Sequence, residues 1–361
     1  MLTPASVWAV DDLPLHVQTY VDAGYLASNR DPEDGNWPGK SSSATLNELT
    51  LNLAMVNVNR EATTASRWGF EFGLQTGDDS ERLVTAPPPE ANEPFSNADE
   101  LRHFYRANVS YLFGTEGDLK ITGGLINSYI GYESYLAIDN FNYTRSYLSD
   151  TVPYFLIGAE ALWDVNDQVD LGFYVVTGYN YLADPNDLPS LGFSGKFGLS
   201  ENVRLVQNFY YGSDQKNTDI EYWRFFSNSI VEWSRGDFTV AASLDYGTER
   251  QADLSGQPRH HWTTGAIWLN WAASSRLSLA LRPEFHLDAD GIATGAEREL
   301  QAYTGTLKYQ LLPDNNRIVG TFELRHDKAR GAGGGFPDGL DGSVEEDQTL
   351  VIASLIWQFK K

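Results

Sequence analysis

Polar and apolar residues alternate along much of this chain. In Phe238-Thr239-Val240-Ala241-Ala242-Ser243-Leu244-Asp245-Tyr246, the apolar Phe238, Val240, Ala242, Leu244 and Tyr246 occupy every second position, and the residues between them are polar or small. Arg276 to Leu287 shows the same parity, with Leu277, Leu279, Leu281, Phe285 and Leu287 opposing Arg276, Ser278, Arg282, Glu284 and His286. A period of two marks a β-strand whose two faces meet different surroundings, because successive side chains point to opposite sides. Such units, about ten residues long and separated by turn residues, recur from end to end, as expected of strands crossing a bilayer with apolar groups toward lipid.

The alternation predicts strands over 13–27, 46–59, 67–77, 104–113, 119–133, 152–164, 169–181, 190–199, 203–213, 222–234, 238–248, 261–272, 276–287, 299–311, 317–327 and 348–359. Tight turns at Gly114–Asp118, Asn166–Gln168, Ser200–Asn202, Arg235–Asp237, Ala273–Ser275 and Pro313–Asn316 belong on the periplasmic side. Longer links at Arg30–Thr45, Asp78–His103, Ser134–Thr151, Gly247–His260, Asp288–Arg298 and Lys328–Asp347 are expected to be extracellular. The expected fold class is all-β: a transmembrane antiparallel up-and-down β-barrel of about sixteen strands, an even number that brings both ends to the periplasm. It would form one domain over 13–359, preceded by a periplasmic segment, residues 1–12. A propeller would show a repeat of roughly 40–50 residues, and none is present. No plug-like domain is expected within the residues ahead of the first strand.

Composition agrees with this picture. Of 361 residues, 42% are hydrophobic, yet the mean hydropathy is -0.37 and no apolar run is long enough for a membrane-spanning helix. The 32 glycines, 19 tyrosines, 18 phenylalanines and 10 tryptophans suit strands and turns. Absence of cysteine excludes disulfides and is compatible with transit through an oxidising periplasm. The net charge of -23 argues against nucleic acid, whose phosphates need a basic face. Met1 to Ala9 is not a complete signal peptide, although Val7-Trp8-Ala9 matches the remnant of a cleavage site.

Aromatic residues cluster at strand ends: Trp68, Tyr105, Phe113, Trp163, Tyr179, Phe209, Tyr211, Trp233, Tyr246, Trp271, Tyr303 and Trp357. They are expected to form belts at the two lipid interfaces. The segment Thr349 to Phe359 alternates and ends in phenylalanine, which resembles the terminal assembly signal of outer-membrane proteins, with Lys360 and Lys361 following it. Residues Gly123-Gly124-Leu125-Ile126-Asn127-Ser128-Tyr129-Ile130-Gly131-Tyr132-Glu133, then Asn140-Phe141-Asn142-Tyr143-Thr144-Arg145-Ser146, with Pro153 and Gly158 beyond, are similar to the β-barrel porins of the OmpL-like type. The resemblance is best over residues 119 to 180, with Thr144 in place of the usual serine. It implies an outer-membrane channel whose solute is undefined.

On strand parity the lumen receives Asp22, Glu48, Glu71, Glu160 and Asp170 from the first seven strands, against Arg106 and Lys120. The second half supplies Lys196, Arg204, Arg224, Arg276, Arg282, Lys308, Arg317 and Arg325 beside Glu232, Asp245, Glu284 and Glu323. An acidic wall facing a mixed, more basic one would set a transverse field across the pore. The third long loop, Ser134–Thr151, carries Asp139, Tyr143, Arg145 and Tyr147 and forms an eyelet if folded inward. The pore-lining candidates are therefore Asp22, Glu48, Glu71, Arg106, Arg145, Glu160, Asp170, Arg204, Arg224, Arg282, Glu284 and Arg325.

No metal or cofactor is expected: the six histidines form no ligand motif, and Asp288-Ala289-Asp290-Gly291 is a turn without the ligands of a calcium loop. No catalytic constellation is expected either, although Glu284 and His286 share one strand face. The expected function is passive diffusion of small hydrophilic solutes or ions through a water-filled channel. A structural or docking role in an envelope assembly is the alternative, and an outer-membrane hydrolase is a distant third. Expected partners are outer-membrane lipid and lipopolysaccharide and the passing solutes, with self-association or an envelope protein partner left open.

Overall fold

In the computed structural model, which describes residues 15–83, 101–179, 182, 186, 188–215, 218–251, 259–312, 316–339 and 343–361, the alternating segments close into one barrel. Its strands are β1 (His16–Ser28), β2 (Leu49–Arg60), β3 (Trp68–Thr76), β4 (Phe104–Phe113), β5 (Leu119–Asn127), β6 (Phe155–Asn166), β7 (Val169–Val176) and β8 (Ser190–Ser200). They continue with β9 (Val203–Gly212), β10 (Arg224–Arg235), β11 (Phe238–Glu249), β12 (His260–Trp271), β13 (Leu277–Asp288), β14 (Arg298–Leu312) and β15 (Asn316–Arg330). A short hairpin, β16 (Phe336–Asp338) and β17 (Ser343–Glu345), leads to the last barrel strand, β18 (Asp347–Lys360). Each barrel strand pairs with its sequence neighbours in the wall, and β18 closes the ring antiparallel to β1 with Val21 opposite Trp357. The barrel thus has sixteen strands. The expected N-terminal segment 1–12, with Val7-Trp8-Ala9, and the Pro87-Pro88-Pro89 stretch of the second loop lie outside the described residues.

The outer face follows the predicted parity. Leu244, Leu281 and Phe322 are exposed where lipid would lie, while their neighbours Asp245, Arg282 and Glu323 are buried in the lumen. Trp68, Phe113, Trp163, Tyr211, Trp233, Tyr246, Trp271, Tyr303 and Trp357 also point outward. Two aromatics expected in the belts do not. Tyr105 sits at a register shift opposite Gly73 and Leu74, and the bulge turns both Tyr105 and Arg106 inward. Tyr179 lies beyond the end of β7, buried against Tyr210 and Phe226.

Two strands end earlier than the alternation predicts. β5 stops at Asn127 rather than residue 133, and β7 at Val176 rather than 181. Gly124 has φ +127 and faces Gly158, φ +152; a Cβ on either would lie 2.2 Å from a carbonyl oxygen of the neighbouring strand. This glycine pair permits the backbone distortion just before the chain leaves the wall, after which residues 128–154 enter the lumen as loop L3.

Much of the apolar burial is therefore inside the barrel. One cluster joins Tyr135, Leu136, Ala137, Ile138 and Tyr143 of L3 to Tyr20, Leu53, Leu350, Ile352 and Ile356 of the wall. A second joins Ile130 and Val152 to Tyr174, Tyr210, Phe226 and Trp262.

Candidate channel constriction

L3 is held by the residues around its two sequence motifs. Glu133 accepts from Arg282 Nη1 at 2.8 Å, from Ser146 N at 2.7 Å and from Ser149 Oγ at 2.7 Å. Burial works against the Glu133 carboxylate, but Arg282 and the serine bonds outweigh it and hold its pKa below the usual glutamate value. The second motif contacts successive strands. Asn142 Nδ2 donates to Thr306 on β14, and the Tyr143 hydroxyl donates to Asp22 on β1 at 2.9 Å. The backbone N–H groups of Tyr143 and Thr144 donate to Glu323 on β15 at 2.8 and 3.2 Å.

Arg145 is fully buried. It reaches Asp79 at 3.5 Å, donates to Ser43 Oγ at 3.0 Å, and donates to the Tyr135 carbonyl. Burial opposes its charge, yet Asp79 and the surrounding tyrosines hold the guanidinium above its ordinary pKa, while burial raises Asp79 itself. On the wall behind, Arg325 bonds Glu284 at 3.1 Å, Asp327 at 2.8 Å and the Arg145 carbonyl at 3.1 Å, and lies against the rings of Trp37 and Tyr147. Lys40 of the first loop pairs with Asp150 and donates to the Arg145 carbonyl at 2.8 Å; burial pulls its ammonium below the usual lysine pKa.

Space remains on the other side. A cavity of about 690 Å³ runs between the end of β5 with the first arm of L3, Ile126 to Tyr132, and the wall from β2 to β10. Glu71, Glu160, Lys120, Lys196 and Arg204 line it. A second cavity, about 430 Å³, lies on a different part of L3 beside Lys40, Tyr147, Asp150 and His286.

The sequence motif of the family described as "Putative beta-barrel porin-2, OmpL-like" matches residues 14–359. The chain belongs to that family. No curated protein sequence matches it. Among solved structures this OmpL-like porin is similar to OmpT of Vibrio cholerae, with 10% identity and TM-score 0.56 over 96% of this chain and 97% of that one. It is also similar to an anion-selective porin from Comamonas acidovorans, with 10% identity and TM-score 0.59 over 96% and 99%. Salmonella typhi OmpF, solved in complex with daunomycin, aligns with 9% identity and TM-score 0.54 over 96% and 97%. At such identities these likenesses speak for the fold. Family and fold together place the protein in the bacterial outer membrane as a porin.

Besides Arg145 of L3 itself, most expected site residues of this OmpL-like porin fall into two groups, with Asp170 and Arg224 outside both. Asp22, Arg282, Glu284 and Arg325 meet at L3, each buried and bonded to the loop or to one another. Glu71, Arg106, Glu160 and Arg204 face the larger cavity or its margin, with Arg106 3.6 Å from Glu71 and Arg204 3.1 Å from Glu232. Asp170 is exposed on a lumen-parity position of β7. Arg224 lies apart, paired with Asp214 at 2.9 Å and with Glu249 against Tyr179 and Trp262.

Two expectations change. Glu48 falls in an exposed bend ahead of β2, because that strand begins only at Leu49 and Asn47 takes a positive φ of 58°. The basic second-half wall is only partly open: Lys196 and Arg204 line the larger cavity, whereas Glu133, Asp327 and L3 carbonyl oxygens engage Arg282 and Arg325, so no bare transverse field spans the region that L3 covers. Glu284 and His286 are likewise engaged, Glu284 by two arginines and the Tyr147 N–H, and His286 by Thr264 at 2.6 Å. Asp288 accepts from the N–H groups of Ile292, Ala293 and Thr294, which closes the turn. Parity reasoning missed Glu133, Asp79, Lys40 and Trp37 because they lie in loops; of these, only Glu133 carried a signal, as the last residue of the first motif.

Proposed function

We propose that the barrel conducts small hydrophilic solutes and ions by passive diffusion, along an off-centre passage between L3 and the β2–β10 wall. The observation that carries this reading is the 690 Å³ polar cavity, lined by asparagine, serine, lysine, arginine and glutamate while L3 occupies the opposite side. A sixteen-strand barrel is wide enough for an aqueous channel, and an inward loop narrows it. No step of chemistry is assigned to the lumen. Association of the porin with further copies of itself is part of this proposal.

One observation favours a second reading, a docking component of an envelope assembly. A third cavity along L3, about 380 Å³ beside Glu133, Tyr135 and Asp139, shares Asn127 and Ser128 with the largest of these, but the 430 Å³ cavity beside Lys40 shares no lining residue with either, and apolar clusters pack the loop between. Planar-bilayer recording of the refolded full-length protein separates the readings. The channel reading expects stable openings that grow when Tyr135–Ser149 is replaced by a short glycine-serine linker. Silence from both proteins, each folded, moves the assignment to the docking role.

A further inference from the structure

The lumen arginines described above are spent on partners, but one stretch of wall is different. On β5 to β8, Lys120, Glu160, Asp164, Asp170 and Lys196 form no ion pair within 4.0 Å among the described residues. Lys120 lies opposite Leu162, which has Glu160 and Asp164 two residues away on either side. Asp164 lies opposite Asp170, and Asp170 opposite Lys196. Sign therefore alternates along the wall: Glu160, then Lys120, then the aspartates, then Lys196. Directly opposed positions are about 5 Å apart and diagonal ones roughly 7–8 Å. Lys120, Glu160 and Lys196 line the 690 Å³ cavity, together with Ser194 and the Tyr174 ring, which lies over Gly172. Other charges at the cavity are the neighbours Arg60 and Glu61, and the pairs Glu71 with Arg106 and Arg204 with Glu232.

A block of one sign would draw one kind of ion. An alternating row does otherwise: a simple ion attracted at one position meets a like charge within a Debye length of about 8 Å. A solute carrying both signs can satisfy two neighbouring positions at once. Two extended residues span at most about 7 Å, which matches the diagonal spacing of opposite charges in the row. Building on the channel reading, we propose that this passage favours small zwitterions whose ammonium and carboxylate sit about two residues apart, the chemical class of dipeptides, over uncharged solutes of similar size.

Swelling of liposomes containing the full-length protein tests this, with diglycine as zwitterion and xylitol as uncharged probe. Diglycine should enter severalfold faster than xylitol. Lys120→Gln with Glu160→Gln, which leaves net charge unchanged, should remove that advantage by slowing diglycine far more than xylitol. Lys196→Gln alone should lower it partially, and gives an independent readout if the double variant folds poorly. In a potassium chloride gradient the wild-type reversal potential should lie near zero. Equal entry of the two probes, equal slowing of both by the variants, or strong selectivity for one ion overturns the zwitterion inference and leaves the channel standing. No entry of either probe through a folded barrel overturns both.

Discussion

Glu133 is held by Arg282, Ser146, Ser149 and the Trp268 indole N–H. Such convergence makes it the residue whose loss should most readily release L3. Removing one partner of a buried ion pair costs about 3–5 kcal/mol, since the remaining charge stays desolvated. Glu133→Gln should therefore lower the urea-unfolding midpoint of the refolded barrel and raise its single-channel conductance. An unchanged midpoint would show that the loop is held elsewhere. The pKa of this carboxylate is below its unfolded value, so its stabilisation is present above about pH 4.3 and is lost as pH falls through the folded value. Wild-type conductance should rise on acidification to below the ordinary glutamate pKa, and Glu133→Gln should lack that step. Identical titrations of the two would assign the change to another group. At this scale the sequence was only partly legible. Parity identified Asp22, Arg282, Glu284 and Arg325 as inward-facing, but it contained no information about which of them the loop would bind.

Among the elements, β5 and β6 depend on the Gly124 and Gly158 pair. Alanine at Gly124 combines a positive φ with a Cβ 2.2 Å from the Ala107 carbonyl oxygen, a strain of about 1–3 kcal/mol. Gly124→Ala should reduce the fraction of heat-modifiable, folded protein on refolding; wild-type yield would mean that the distortion is dispensable. β18 shows why element boundaries and faces are harder to read than element existence. Leu350, Ile352 and Ile356 face inward while Val351, Leu355 and Trp357 face out. Both faces are apolar because the inward one packs in the cluster that contains L3 and the outward one meets lipid. The same run that resembles a terminal assembly signal is thus also part of an interior core.

For the whole molecule, the outer wall must satisfy lipid and the inner wall must satisfy both water and L3. Leu281, 58% exposed on β13, should tolerate charge poorly. Leu281→Arg is expected to cost roughly 2–4 kcal/mol when the barrel is unfolded from bilayers, the penalty for arginine near the midplane. Lys196→Gln on the lumen face should leave stability nearly unchanged in the same assay. Equal losses for both would contradict the assignment of faces.

The sequence by itself determined the barrel, its strand number, most strand positions, the outward faces of most strands and the family. All but the family follow from a period of two and from turn residues, which are local properties that each strand carries alone, while the family was implied by the resemblance of the motifs at 123–133 and 140–146. Tertiary structure decided which lumen charges remain free. Arg282 and Arg325 look like pore lining until L3 folds onto them, and Tyr105 looks like a belt residue until a bulge turns it inward. Those outcomes depend on contacts between Glu133 and Arg282 or between Tyr143 and Asp22, pairs separated by more than a hundred residues and joined only when the ring closes.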